Sequence, residues 1–82
     1  MKPDKIFQEL ERIAETLNIK IIQGKGNFKG GYCIFEKEKI IILNKLNPVE
    51  QRVHALALVF SQLDISQIYI KPAIREIIES VG

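Results

Sequence analysis

One cysteine, one histidine and no tryptophan occur in the 82 residues, and only 7% of the side chains are aromatic. Each scarcity excludes something. A lone Cys33 cannot close an internal disulfide, which suits a reducing compartment and a cytoplasmic location. A lone His54 excludes any site that needs two imidazoles. No apolar run nears the roughly 18 residues that cross a bilayer. Met1-Lys2-Pro3-Asp4-Lys5 leads into an amphipathic pattern, not a signal-peptide core, so no membrane partner is expected. The net charge of +2 is too small to imply a nucleic-acid partner by itself. No internal repeat, low-complexity tract or linker divides the chain, which is expected to form a single domain over residues 1–82.

What is present is aliphatic. Hydrophobic residues make up 46% of the chain and include fifteen isoleucines. That content compensates for a length close to the lower limit for a core without staples. Charged residues at 27% are ordinary for a globular protein and exclude a disordered chain. Abundant Ile, Lys and Glu match thermophile composition, as AT-rich coding DNA would too. The charge is unevenly spread: residues 20–45 hold six lysines against two glutamates.

The spacing predicts a helix from Pro3 to about Leu17, with Ile6, Leu10, Ile13, Ala14 and Leu17 on one stripe and Phe7 at its margin. Glu9, Glu11, Arg12 and Glu15 fall on the other side. Asn18 tolerates a left-handed backbone and is the expected stop. Ile19–Ile22 reads as a strand. Four of the five glycines lie between Gly24 and Gly31 and interrupt regular structure. Tyr32–Phe35 is the second strand, Glu36–Lys39 a charged hairpin turn, and Ile40–Leu43 a third strand apolar on both faces and therefore central.

Asn47-Pro48-Val49-Glu50 has the form of a capping box and predicts a helix starting at Pro48. Val49, Val53, Leu56, Ala57, Phe60 and Leu63 form its main stripe, and Ala55, Leu58 and Val59 add a second apolar face. Gln67–Ile70 alternates as a short strand or an extended connector. Pro72 opens the last helix behind a poor cap, Lys71. The expected fold is α+β in the order α-β-β-β-α-(short β)-α, with a three-stranded, mainly antiparallel sheet packed on helices.

The arrangement α-β-β-β-α, the glycines before Tyr32-Cys33-Ile34, the strand Ile40–Asn44 and the capped helix bearing His54 resemble the minimal zinc metallopeptidases related to phage-repressor proteases. These are zincin-like folds whose helix carries two metal-binding histidines and a glutamate base. The resemblance covers residues 5–60. It places His54 at the first motif histidine, Ala55 at the general base and Leu58 at the second ligand. It therefore implies a degenerate relative with the hydrolytic site lost, because one histidine without a second ligand or a base cannot run zinc hydrolysis.

Other readings of the same residues stand beside it. Glu50 and His54, four apart on a helix, could donate two metal ligands, with Cys33 as a third. Otherwise His54 is expected to be partly buried and hydrogen-bonded, and Cys33 to be a small buried hydrophobe in an apolar strand. Lys20, Lys25 and Lys29 surround the glycine-rich stretch with Phe28 and Tyr32 nearby. That set could hold an anion or single-stranded nucleic acid, or be an ordinary solvated hairpin loop. It matches neither the P-loop nor the dinucleotide fingerprint.

The reading these observations favour is a non-enzymatic domain without a cofactor that works through protein association, including a homodimer. Ala55, Leu58 and Val59 are the interface candidates, since so small a chain cannot easily cover them. Anion or nucleic-acid binding by the loop is the alternative. A metal-dependent hydrolase is the remaining one and lacks ligands.

Overall fold

The computed structural model describes residues 1–81 and has three helices and three strands: α1 (Pro3–Thr16), β1 (Ile19–Gly24), β2 (Gly31–Phe35), β3 (Glu38–Asn44), α2 (Val49–Ser61) and α3 (Pro72–Val81). The fold is α+β, but the sheet is mixed. Its order is β1-β3-β2, with β3 central, parallel to β1 and antiparallel to β2. This corrects the expectation of a mainly antiparallel sheet. The glycine-rich stretch is not a hairpin loop. It carries the chain across the end of β3, where Gly24 is paired with Asn44, and delivers β2 to the far side of the sheet.

The local signals account for most boundaries. Asn18 takes a left-handed φ of 59° directly after α1 and turns the chain into β1. Glu36 and Lys37 alone form the second turn, with φ of 49° and 71°. Two successive left-handed residues make a type I′ turn, whose twist suits a tight hairpin. Glu38 and Lys39, read from sequence as turn, belong to β3.

The expected cap of α2 does not form. Pro48 is the N-cap residue, with an extended ψ of 153°, and no side chain caps the helix. Its carbonyl accepts from the Gln51 and Arg52 amides at 3.0 and 3.2 Å, so the helix starts at Val49. Proline disfavours helical backbone at the residue before it, which keeps Asn47 outside the helix and its side chain away from the first free amides.

All the helical packing falls on one face of the sheet. Strand alternation sorts Ile19, Ile21, Ile41, Leu43 and Tyr32 to one side and Ile22, Ile40, Ile42, Cys33 and Phe35 to the other. Ile19, Ile41 and Leu43 are buried with Leu10, Leu56, Phe60 and Ile74, so the first face meets α1 and α2. α3 packs chiefly on α2, which therefore touches α1, α3 and the sheet. Phe7 lies in the core and not at its margin, buried beneath the Arg52 guanidinium, which stands 5.3 Å from the ring centroid.

Gln67–Ile70 forms no strand, although its alternation is real: Ile70 is buried, Ile68 packs on the core and Tyr69 is exposed. The connector is shaped by Asp64, whose Oδ1 accepts from the Ser66 amide at 3.1 Å and the Ser66 hydroxyl at 2.7 Å.

Glu9, expected on the solvent side of α1, is buried. Lys71 Nζ donates to its Oε1 at 3.1 Å, Arg12 approaches at 3.4 Å and Lys5 at 3.9 Å, so α1 is tied to the start of α3. The Lys71 hydrogen bond, with the charges of Lys71, Arg12 and Lys5, holds the carboxyl below its ordinary value against the opposing effect of desolvation. A carboxylate favoured in the folded chain stabilises it fully above the unfolded value of 4.5, and less as pH falls through the lowered value. Glu9→Gln should therefore lower the melting temperature at neutral pH, with the difference closing in acid. Melts in which the difference stays constant with pH would show that packing, not charge, holds Glu9.

Candidate functional site

Two surfaces result from this arrangement: the uncovered face of the sheet, and a cleft between the β2 side of the sheet and α2. The open face is apolar. Ile22 and Phe35 are 43% and 63% exposed, Cys33 is exposed, and Ile40 and Ile42 are half-buried along the central strand. Phe28 reaches the end of this face from the crossing loop and lies against Gly24 and Gly26.

The cleft has a volume of about 380 Å³. Tyr32 and Ile41 form its sheet wall, and Ala55, Leu58 and Gln62 its helix wall. Its inner end is fixed by Arg52, which donates from Nη1 to Gln23 Oε1 at 2.9 Å and from Nε to the Asn47 carbonyl at 3.1 Å. Arg52 thus joins α2 to β1 and to the turn before α2. Nothing in the sequence signals that pairing, because 29 residues separate Arg52 from Gln23.

Asn44 is the other residue that sequence reasoning missed. It is buried at the end of β3, and its Nδ2 donates to the Gly26 carbonyl at 2.7 Å and the Phe28 carbonyl at 3.0 Å. Its Oδ1 accepts from the Leu46 amide at 3.0 Å. One side chain therefore holds the crossing loop and the turn that follows β3. The available signal was only a polar residue closing an apolar strand.

The candidate metal ligands do not come together. Among the described residues no group of three or more His, Cys, Asp or Glu side chains could hold a metal ion. Glu50 and His54 are exposed on α2, while Cys33 is exposed on the opposite face of the sheet, so the sheet itself stands between them. His54 is thus exposed and its side chain makes no hydrogen bond among the described residues, and Cys33 is not a buried hydrophobe. The apolar helix around His54 and the apolar strand around Cys33 motivate those expectations, but His54 lies on an exposed side of α2 and Cys33 on the sheet face that no helix covers. Ala55 and Leu58 line the cleft, and His54 falls outside it.

The loop residues divide between two faces. Lys20 projects from the open face, and Lys25 and Lys29 are exposed along the crossing loop. The Phe28 ring is engaged over Gly24 and Gly26, while Tyr32 points into the cleft on the other side of the sheet. The two aromatic rings therefore do not form a common stacking surface beside the lysines. The three interface candidates sit together on the cleft side of α2, with Leu58 38% exposed and Ala55 and Val59 half-buried.

No family model, curated protein or solved structure matches this chain. No described helix is long and apolar enough to cross a membrane.

Proposed function

We propose that this chain is a non-enzymatic association domain that works by binding protein, a second copy of itself included. The observation that carries the reading is the open face of the sheet, where Ile22, Cys33, Phe35, Ile40 and Ile42 lie together with no helix over them. Monomers rarely leave a contiguous apolar patch larger than a few hundred Å² in water.

The reading also accommodates the resemblance to minimal zinc metallopeptidases. A degenerate relative with Ala55 and Leu58 in place of the base and second ligand would keep the scaffold and lose the hydrolysis. The cytoplasm is the location that the single thiol suits.

Light scattering tests the association. Across tens to hundreds of micromolar, the mass should rise above the 9.4 kDa of one chain. A constant monomer mass over that range would defeat self-association.

A further inference from the structure

We propose that two copies pair antiparallel along their β2 edges, about a two-fold axis at Cys33, to make one continuous sheet. The inference rests on the association reading for its second copy, but it places that copy at the edge of the sheet and leaves the open face to a further protein partner.

β2 is an edge strand, since β3 occupies only one of its sides. Natural monomers blunt such edges with charges, proline or bulges. Gly31-Tyr32-Cys33-Ile34-Phe35 has no charge and no proline, and its register against β3 runs without interruption. β1, at the other edge, carries Lys20. The β2 edge also leaves Ile34 and Phe35 64% and 63% exposed.

The hairpin fixes which backbone groups are free. A two-residue type I′ turn closes on a hydrogen-bonded pair, here Phe35 with Glu38, and such pairs then alternate along the ladder. Cys33 and Gly31 accordingly bond inward to β3, while the N–H and C=O groups of Tyr32 and Ile34 point outward. Centring the axis on Cys33 sets Tyr32 opposite Ile34 of the second copy, so these exchange both hydrogen bonds, and symmetry repeats the exchange.

The side chains fit the same register. Phe35 of the second copy falls opposite Gly31, where a side chain would meet nothing within 4 Å. An aromatic ring across from an edge glycine covers backbone that would otherwise stay wet. Ile34 of the second copy lies beside Tyr32 at the mouth of the cleft, facing Leu58.

The size of the contact sets its strength. Covering Ile34 and Phe35 on both copies removes on the order of 450 Å² of side-chain surface, before the backbone is added. The whole contact then stays near or below the roughly 1,200 Å² of a standard interface, and dissociation should fall in the micromolar range.

Cys33 reports on the geometry. Directly opposed residues in a non-hydrogen-bonded antiparallel pair have Cα atoms about 4.5 Å apart, within reach of a disulfide. With oxidised glutathione, two Cys33 thiols give one interchain disulfide as the glutathione disulfide is reduced to two thiols. At a concentration where light scattering shows dimer, this cross-link should form about tenfold faster or more than in Ile34→Lys, because pairing concentrates the two thiols.

Ile34→Lys changes an exposed side chain, so its loss of dimer should be accompanied by an unaltered circular dichroism melt at concentrations low enough that both chains are monomeric. Ile22→Lys, on the open face away from the edge, should keep both dimer and cross-link. A dimer whose Cys33 cross-links no faster than in Ile34→Lys would overturn edge pairing and leave the association reading standing. Monomer mass at every concentration would overturn both.

Discussion

Asn44→Asp should destabilise the domain more than Asn44→Ala, although it is the closer match in shape. The asparagine amide donates at 2.7 and 3.0 Å to the carbonyls of Gly26 and Phe28. A carboxylate in that place turns two hydrogen bonds into two contacts between oxygen atoms, at a side chain only 6% exposed. Each unsatisfied buried acceptor costs about 1–3 kcal/mol, and the uncompensated charge adds to it. The expected loss is about 4 kcal/mol for aspartate and about 2 kcal/mol for alanine, which forfeits the bonds without adding charge.

A chain of this length has on the order of 4–12 kcal/mol of stability in total, so aspartate should leave a large fraction unfolded. The pH dependence separates the causes. The introduced carboxyl is easier to protonate in the folded chain, which raises its folded pKa above the unfolded one. Its penalty should shrink in acid and be complete at neutral pH, whereas the alanine penalty should not change in that way. Trypsin supplies a local readout, since Lys25 and Lys29 lie on the loop that Asn44 holds and should be cut faster in both variants. Equal stability of the two variants at neutral pH would show that the amide does not hold the loop.

The elements were legible because their signals are local. The isoleucine-rich strands, the proline starts of α1 and α3 and the left-handed Asn18 each follow from a few neighbouring residues. Strand pairing was not legible, because β1 and β2 are neighbours in sequence and such strands usually pair. β3 stands between them, and the Asn44 amide holds the crossing loop through contacts spanning 18 and 16 residues.

The same limit applies to the candidate site. Ala55, Leu58 and Val59 were readable as a second apolar face of α2, and they line the cleft. The apolar face of the sheet that includes Cys33 and Phe35 was not separable from the core. An all-apolar β3 looks the same in sequence whether helices cover it on one side or two. Glu9 was misplaced for a related reason, since its partner Lys71 lies 62 residues away.

Gly30→Ala should be strongly destabilising while Gly31→Ala is not, although the two glycines are adjacent and neither has a left-handed backbone. A Cβ on Gly30 would stand 2.0 Å from the Ile42 carbonyl oxygen, 3.0 Å from its carbon and 3.2 Å from the Leu43 Cα. All three are backbone atoms of the central strand and cannot rotate away. The loop would have to lift from β3, and that movement would also draw Phe28 and its carbonyl away from Asn44. Such overpacking costs about 3 kcal/mol. In a domain of this size each kcal/mol lowers the melting temperature by roughly 4–8 °C, so the fall should be large and easily measured. At Gly31 an added Cβ meets nothing within 4 Å. Alanine there restricts the unfolded chain and should be neutral or stabilising by about 0.5 kcal/mol. Melts of both variants at concentrations well below the dissociation constant of the proposed dimer decide the matter. Equal effects at the two positions would mean that the chain does not cross β3 with Gly30 seated on the Ile42 carbonyl.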